Sequence, residues 1–319
     1  MQDHVAKCAT PEHNPHMSPS GPFAETYLFE RVVELGSIRA VALEIGVEPS
    51  SVSRRLTSLE TRLGTKLLER AQGQSRPTDI GVRYYEKMRV LRAQVEAVEA
   101  DIAGDAETPK GLLKVNAAID FGQHYVAGWL LRFRQQHPEV EVELTLSSRN
   151  VDLLGQGIDV AIRVGRQADS ALMSKKLADV PRVLVASPDY LARSGTPLTP
   201  DELVGHEHVF FLPEHRRRPL RLTDGEGRVY EVSRRGGVTF NAVFSVVEAV
   251  RSGFGIHAGP RWAFQDALDS GDVIEVLPDY SQPIMPMCAI WAPAVLVPAR
   301  VRRFVDFISM EVKYIGGLE

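Results

Sequence analysis

Between Gly46 and Gly64 the sequence reads GVEPSSVSRRLTSLETRLG, with Ser50, Ser51 and Ser53 placed just ahead of Arg54 and Arg55. Short hydroxyls let a helix end approach another surface and hydrogen-bond to it, and a guanidinium offers a two-pronged donor to a phosphate, a carboxylate or a guanine edge. With Pro49 at the first helical position and about 100° per residue, Val52, Leu56, Leu59 and Leu63 share one face. Ser50, Arg54, Thr57 and Thr61 lie opposite. The apolar face belongs to a core, and the other is left for a partner outside. Charge supports an anionic one: from Pro49 to Pro77, Arg54, Arg55, Arg62, Lys66, Arg70 and Arg76 stand against only Glu60 and Glu69, in a chain whose net charge is -4.

Other chemistry is poorly represented. There is no G-x-S-x-G, no glycine-rich phosphate loop and no H-E-x-x-H, so no nucleophile with a base beside it and no catalytic residue is identified. His206, Glu207 and His208 read as loop residues that sit as easily on the surface as in a site. The two cysteines, Cys8 and Cys288, make neither a disulfide framework nor a metal site, which points to a reducing compartment. His4, His13 and His16 lie in a proline-rich lead, residues 1–22, where nothing preorganises them for a metal; the lead reads as a solvated tail or as sequence upstream of a start at Met17. No metal and no cofactor is expected. With no signal peptide and no apolar run long enough to span a bilayer, the expectation is a cytoplasmic protein without a membrane partner.

The elements that must position the serines and arginines are legible. A helix over about Phe23 to Leu35 ends at Gly36; a second, capped by Ser37, buries Ile38, Val41, Ala42 and Ile45 and stops at Gly46. The turn Gly46-Val47-Glu48 then leads through Pro49 into the third, which makes a helix-turn-helix over about 38–57. TKLLERAQGQSRPT reads as a wing hairpin carrying Arg76. Thr78 can cap a helix from about Asp79 to Ala103 whose apolar positions Val82, Tyr85, Met88, Leu91, Val95, Val98 and Ile102 approach a heptad seam. That helix either lies on its own domain or pairs with a second copy, and the lack of an adjacent apolar segment favours pairing.

GDAETPKG supplies a hinge at 104–110. Beyond it strands and helices alternate: LLKVNAA, a helix over about Gln123 to His137, VEVELTLS, a short helix at Val151 to Gln156, IDVAIRVG, then a second set from RVLVASP to about Tyr280. PIMPMCAIWAP and a helix from Val297 to Tyr314 finish the chain. The class is α/β with a largely parallel sheet, behind an all-α winged helix-turn-helix head over 23–77.

GSIRAVALEIGVEPSSVSRRLTSLETRLGTKLLER resembles the DNA-binding head of LysR-type transcriptional regulators, and VDLLGQGIDVAIRVGRQADSALMSKKLADVPRVLVASPDYL resembles their effector-binding domain. The likeness runs from Phe23 to Phe307, although Glu48, Val41 and Leu68 stand where a hydroxyl residue, Ala and Phe are usual. It implies a linker helix over 78–103 and a two-lobed domain like type 2 periplasmic binding proteins over 111–319, with lobe one at 111–180 and 283–319 and lobe two at 181–282. It also implies a regulator of promoter DNA that senses a small molecule between the lobes. Dimerisation would run through the linker helix, a homotetramer would be the assembly, and RNA polymerase is a candidate further partner. DNA contacts would fall on Pro49, Ser50, Ser51, Ser53, Arg54, Arg55, Thr57 and Arg76, with Arg54 reading bases and Arg55 and Arg76 meeting phosphates. Effector contacts would fall on Ile119, Asp120, Phe121, Ser148, Val164, Gly165, Phe240, Asn241 and Ala242. Asp120 replaces a common hydroxyl and either favours a neutral or cationic effector or merely caps a helix facing away. The competing readings are an α/β enzyme and a transporter's solute-binding protein, each with an accessory DNA-binding head.

Overall fold

The computed structural model describes residues 24–71, 74–102, 107–147, 152–153, 155–165, 172–212, 215, 218–294 and 296–319. The chain falls into two compact units, Met1–Ala93 with Leu154–Gly157, and Gln94–Leu153 with Ile158–Glu319. The lead, its histidines and Cys8 lie outside the described residues.

The first unit opens with α1 (Ala24–Leu35), α2 (Ile38–Ile45) and α3 (Pro49–Leu63), then the antiparallel hairpin β1 (Leu68–Ala71) and β2 (Gln74–Pro77). The expected punctuation is used. Ser37 Oγ accepts from Ala40 N–H at 3.4 Å at the start of α2, and Gly46 ends it at φ 68°, a conformation that costs an L side chain about 1 kcal/mol. Leu28, Phe29, Val32, Val41, Val52, Leu56, Leu59 and Leu67 form one small core, to which α3 contributes the apolar stripe expected of it except Leu63, which is exposed. α4 (Asp79–Ile102) follows, with Thr78 Oγ1 accepting from Gly81 N–H at 3.0 Å. Gly81 also lets the helix rest against the wing: a Cβ there would stand 2.1 Å from Leu67 O.

In the second unit β3 (Gly111–Ala117) leads into a helix that starts at Ile119 rather than near Gln123, as α5 (Ile119–Phe121), a π turn (Gly122–Val126) and α6 (Ala127–Gln136). β4 (Val140–Leu146), β5 (Val160–Val164) and β6 (Met173–Val180) follow. Instead of the expected short helix before β5, Leu153 and Gly155–Gly157 form turns; Val151 and Leu154 lie outside the described residues. Next come β7 (Arg182–Ala186), α7 (Pro188–Ser194), β8 (Glu207–Phe211), β9 (Leu220–Thr223), β10 (Val229–Val232), β11 (Arg235–Phe240) and α8 (Val243–Arg251). The chain closes with β12 (His257–Pro260), α9 (Arg261–Asp269), β13 (Ile274–Glu275), β14 (Met285–Trp291) and α10 (Ala299–Glu311).

The main sheet has the order β4-β3-β5-β14-β6. β3 runs parallel to β4 and β5, while β14 is antiparallel to both β5 and β6, so the sheet is mixed rather than largely parallel. The chain reaches β14 on its way back from the second set of strands and enters at the end that the parallel strands leave. That second set is mixed too: β12-β7-β13 is antiparallel, β11 pairs β8 in parallel, and β9 and β10 form a hairpin. Phe133, Phe304 and Phe307 meet at 5.3 and 5.6 Å in the core that α6 and α10 share with Leu113 and Val115. In the expected hinge, Glu107 pairs with Arg302 at 2.8 Å and with Arg303; both contacts are exposed and modest in energy.

Candidate functional site

The outward face of α3 is built as its sequence implies. Pro49, Ser50, Arg54 and Thr57 are exposed, Ser51, Ser53 and Arg55 are half-covered, and wing Arg76 is exposed. Among the described residues nothing pairs with Arg54, whereas Thr57 Oγ1 returns to Ser53 O at 3.0 Å and Arg76 donates to Gln74 Oε1 at 3.4 Å. Glu48 occupies the N-cap without a side-chain hydrogen bond; its carbonyl accepts from Ser51 N–H at 2.9 Å, which leaves the Ser50 N–H of the first turn without a partner among the described residues and open toward whatever α3 meets.

One positioning residue was not apparent from sequence, where Glu60 counts only as a negative charge. It is buried, and its carboxylate accepts from Leu67 N–H at 2.9 Å, Leu68 N–H at 3.1 Å and Lys66 Nζ at 2.9 Å. Burial alone would raise its pKa; the Lys66 hydrogen bond and the two backbone donors outweigh it and hold the carboxyl below its ordinary range. Glu60 thereby ties the end of α3 to the start of the wing that carries Arg76.

α4 divides its faces. Tyr84 packs edge-on against Phe29 at 5.6 Å, Tyr85 OH donates to Glu34 Oε1 at 3.2 Å, and Arg92 pairs with buried Glu30 at 2.8 Å. Tyr85, assigned above to the heptad seam, is thus held by α1, because its hydroxyl finds an acceptor there. Arg89, Ala93 and Ala97 are buried as well, whereas Val82, Leu91, Val95, Val98 and Ile102 all stand exposed.

In the second unit the expected effector residues lie at the carboxyl ends of β3, β5 and β11. Ile119, Val164, Phe240 and Asn241 are exposed, Ala242 is half-covered and Gly165 adopts φ 100°; Ser148 lies outside the described residues. Phe121 is not a crevice wall: it is buried, with Tyr125, Trp129 and Trp262 rings at 5.1, 5.7 and 5.3 Å, because one turn of helix carries it into the aromatic core. Asp120 does not cap the helix, since Ala118 holds that position; the carboxylate residue is only 9% exposed, and no described residue donates to it. One turn along, the His124 ring meets Phe244 at 5.1 Å, which brings the helix after β3 against the start of α8. Two residues not anticipated join this end of the sheet. Arg163, also 9% exposed, donates to Ile162 O at 3.0 Å and to Asn116 Oδ1, and Asn116 is oriented by its own donation to Thr145 O at 3.1 Å and Thr145 Oγ1 at 2.7 Å. Their partners lie 29 and 47 positions apart, beyond the reach of any local pattern.

The histidines near Glu207 are not at the surface, although His206 does lie in the bend that leads into β8. His208 lies within β8 and His206 just before it, both buried, because the strand alternates and turns Glu207 outward instead. His206 Nδ1 meets Tyr190 OH at 3.1 Å, His208 Nε2 meets Leu203 O at 3.2 Å, and His257 Nδ1 meets Val209 O at 2.8 Å. Burial, aided by the guanidinium groups of Arg234 and Arg182, pushes His208 down to about 4 and His257 down to about 3. These are core imidazoles kept neutral. Among the described residues no group of three or more metal-ligating side chains comes together, and no helix is long and apolar enough to cross a membrane.

Residues 106–313 match the family described as LysR substrate binding domain, and residues 23–82 match the bacterial regulatory helix-turn-helix protein, lysR family. The probable transcriptional regulator LtrA of Klebsiella pneumoniae is 32% identical over 292 residues, 89% of this chain and 93% of that protein. The crystallised LysR-type regulator CrgA of Neisseria meningitidis is 29% identical with a TM-score of 0.58, covering 90% of this chain and 98% of its own. The full-length virulence activator AphB of Vibrio cholerae is 26% identical with a TM-score of 0.57, covering 92% and 100%.

Proposed function

Because the chain belongs to the LysR family of DNA-binding transcriptional regulators, proteins with an effector-binding domain and not enzymes, we propose how its own residues divide that work. α3 enters the major groove with Arg54 at base edges, Pro49, Ser50, Ser51, Ser53 and Thr57 close to the DNA, and Arg55 and Arg76 on phosphates. The observation that carries this is Arg54, exposed and unpartnered among the described residues on the face opposite the buried stripe of α3. The head spans 23–77 and the linker helix 78–103. The exposed seam of Val82, Leu91, Val95, Val98 and Ile102 is covered by the same helix of a second copy, since an apolar stripe of that length is costly to leave in water. Two such dimers make the tetramer, which works in the cytoplasm on promoter DNA with RNA polymerase as a further partner.

The effector crevice lies between lobe one, 111–180 with 283–319, and lobe two, 181–282. Ile119, Val164, Phe240, Asn241 and Ala242 line it, and Asp120 excludes ligands that carry only negative charge. Footprinting the full chain on the DNA upstream of its own gene and of the divergent neighbour tests the reading. Protection of a dyad-symmetric site, lost when α3 is altered, supports it; salt-labile binding with no sequence preference refutes it.

A further inference from the structure

In the second set of strands, one sheet face carries two arginines into the same neighbourhood. Alternation along β7 puts Arg182 on the side of Leu184 and Ala186, which join a small core with Ile256 and Ala258 of β12. On β8, Val209 faces the larger core and Phe210 the opposite way, together with His208, whose ring lies 6.3 Å from it and which bonds Leu203 O of the small core. β12 runs between these strands: Ala258 is level with Leu184, and the parallel bridge of His208 with Ile256 brings Phe210 level with Ala258 two residues on. Arg182 donates to Ala258 O at 2.8 Å, and the Arg234 guanidinium lies over the Phe210 ring, 5.3 Å from its centre. The two cations thus stand over neighbouring strands on one face, near enough that the Arg182 charge joins burial in pushing Arg234 down to about 10.

Neither has a carboxylate partner among the described residues. Every acceptor that holds them is neutral: Gln282 Oε1 at 3.3 Å and Ala258 O for Arg182, His215 O at 3.1 Å and Arg218 O at 3.2 Å for Arg234. Arg234 makes both contacts from one terminal nitrogen, and its Nε is sealed from solvent without a partner. The Nη1 of each arginine is also unpartnered among the described residues, but it is not sealed, so the spare donors of both can be reached from outside. Two half-covered like charges kept together with no countercharge are costly, and an anion that accepts from both offsets that cost.

We propose that Arg182 and Arg234 together bind a tetrahedral oxyanion, a phosphate or sulfate group, at a second ligand site in this chain. Two positive charges are matched by a dianion and not by a single carboxylate. The oxygens of a tetrahedral group also accept from two guanidinium planes at once, whereas a carboxylate pairs edge-on with one. None of the residues assigned to the effector crevice takes part, so this site stands or falls independently of that crevice.

The test titrates the full chain with inorganic phosphate, sulfate, methyl phosphate, acetate and chloride at constant ionic strength and follows Tm. Phosphate and sulfate should raise Tm with a saturating dependence on concentration, and acetate and chloride should not. Arg234→Gln and Arg182→Gln should each weaken phosphate about tenfold or more, the scale of one lost charge-assisted contact. Arg234→Lys and Arg182→Lys, which keep the charge and lose the fork, should weaken it severalfold and serve if the Gln variants do not fold. Methyl phosphate binding as well as phosphate identifies the ligand as a phosphoryl group on a larger molecule, and weaker binding identifies it as the free ion; either supports the site. Stabilisation that fails to saturate, that acetate matches, or that the arginine variants leave unchanged is a general salt effect and overturns the proposal. So does phosphate binding that emerges only in Glu214→Gln, because the countercharge would then be the chain's own.

Discussion

Acidification should destabilise the second unit well before its carboxylates titrate. His208 and His257 are 1% and 4% exposed, each donates one ring N–H to a carbonyl, and the guanidinium of Arg234 acts on both while that of Arg182 acts on His257 as well. Neutral in the fold down to about 4 and about 3, they take up protons near 6.5 once unfolded. The unfolded state thus binds more protons throughout that interval, and stability falls as pH falls below about 6.5. Going from about pH 8 to pH 5 costs about 2 kcal/mol for each ring, about 4 kcal/mol together, at about 1.4 kcal/mol per pKa unit. His206, also depressed by burial, acts in the same direction. The three tryptophans, Trp129, Trp262 and Trp291, all lie in this unit, so urea unfolding followed by their fluorescence reports on it alone. His257→Asn keeps a donor for Val209 O and His208→Gln one for Leu203 O, and each should remove about half of the pH-dependent loss. If the double variant loses as much stability between pH 8 and pH 5 as the parent does, the imidazoles are not the protonating groups and the reasoning fails.

Three further outcomes are expected. Arg54→Ala should abolish specific operator binding with folding and oligomer intact, through a lost contact of about 1–3 kcal/mol per half-site, and unchanged affinity in a gel-shift titration would show that α3 is oriented otherwise. Leu91→Asp, at a position exposed in the isolated chain, should leave the subunit folded and shift sedimentation to smaller species, because the carboxylate would be buried unpaired in the seam; the parental oligomer would remove that seam. Benzoate should stabilise Asp120→Ser more than the parent, since near 4 Å the repulsion is about 1–4 kcal/mol; equal Tm shifts in the two proteins would refute a charge effect at Asp120.

How far the sequence could be read depended on the range of the interactions. Ser37, Gly46, Pro49 and Gly64 fix α2 and α3 through contacts within one turn, and the helix boundaries follow from them to the residue. Helical periodicity likewise separates Arg54 from Val52 and Leu56, because which face is buried is a property of α3 alone. Tyr85 marks the limit of that argument. It has the spacing of the seam, but its hydroxyl is claimed by Glu34, 51 positions earlier. Likewise the strand pattern of MCAIWAP shows that β14 exists but not its direction, which depends on where the chain has been since β5.

The same limit explains why Arg163 and its partners were missed. Asp120 attracts notice because a charge stands where a hydroxyl is usual, whereas Arg163 looks like an ordinary exposed position in an alternating strand. Alternation does turn it away from the α6 and α10 core, but the far face of β5 is covered as well, by Leu153, Ile158 and neighbours around Ala161 and Ile290. A strand buried on both faces gives its polar residue no water, so Arg163 must find acceptors within the sheet, and Asn116 and Ile162 supply them without neutralising the charge. A covered cation kept without a carboxylate costs stability. Asn116 Oδ1 offsets part of that cost, and it does so only while Asn116 stays oriented by Thr145. Thr145→Val, which removes the hydroxyl while keeping the shape, is then expected to lower the stability of the second unit in urea unfolding by about 1 kcal/mol for one lost hydrogen bond. Parental stability in Thr145→Val would mean that Arg163 is held by Ile162 O alone.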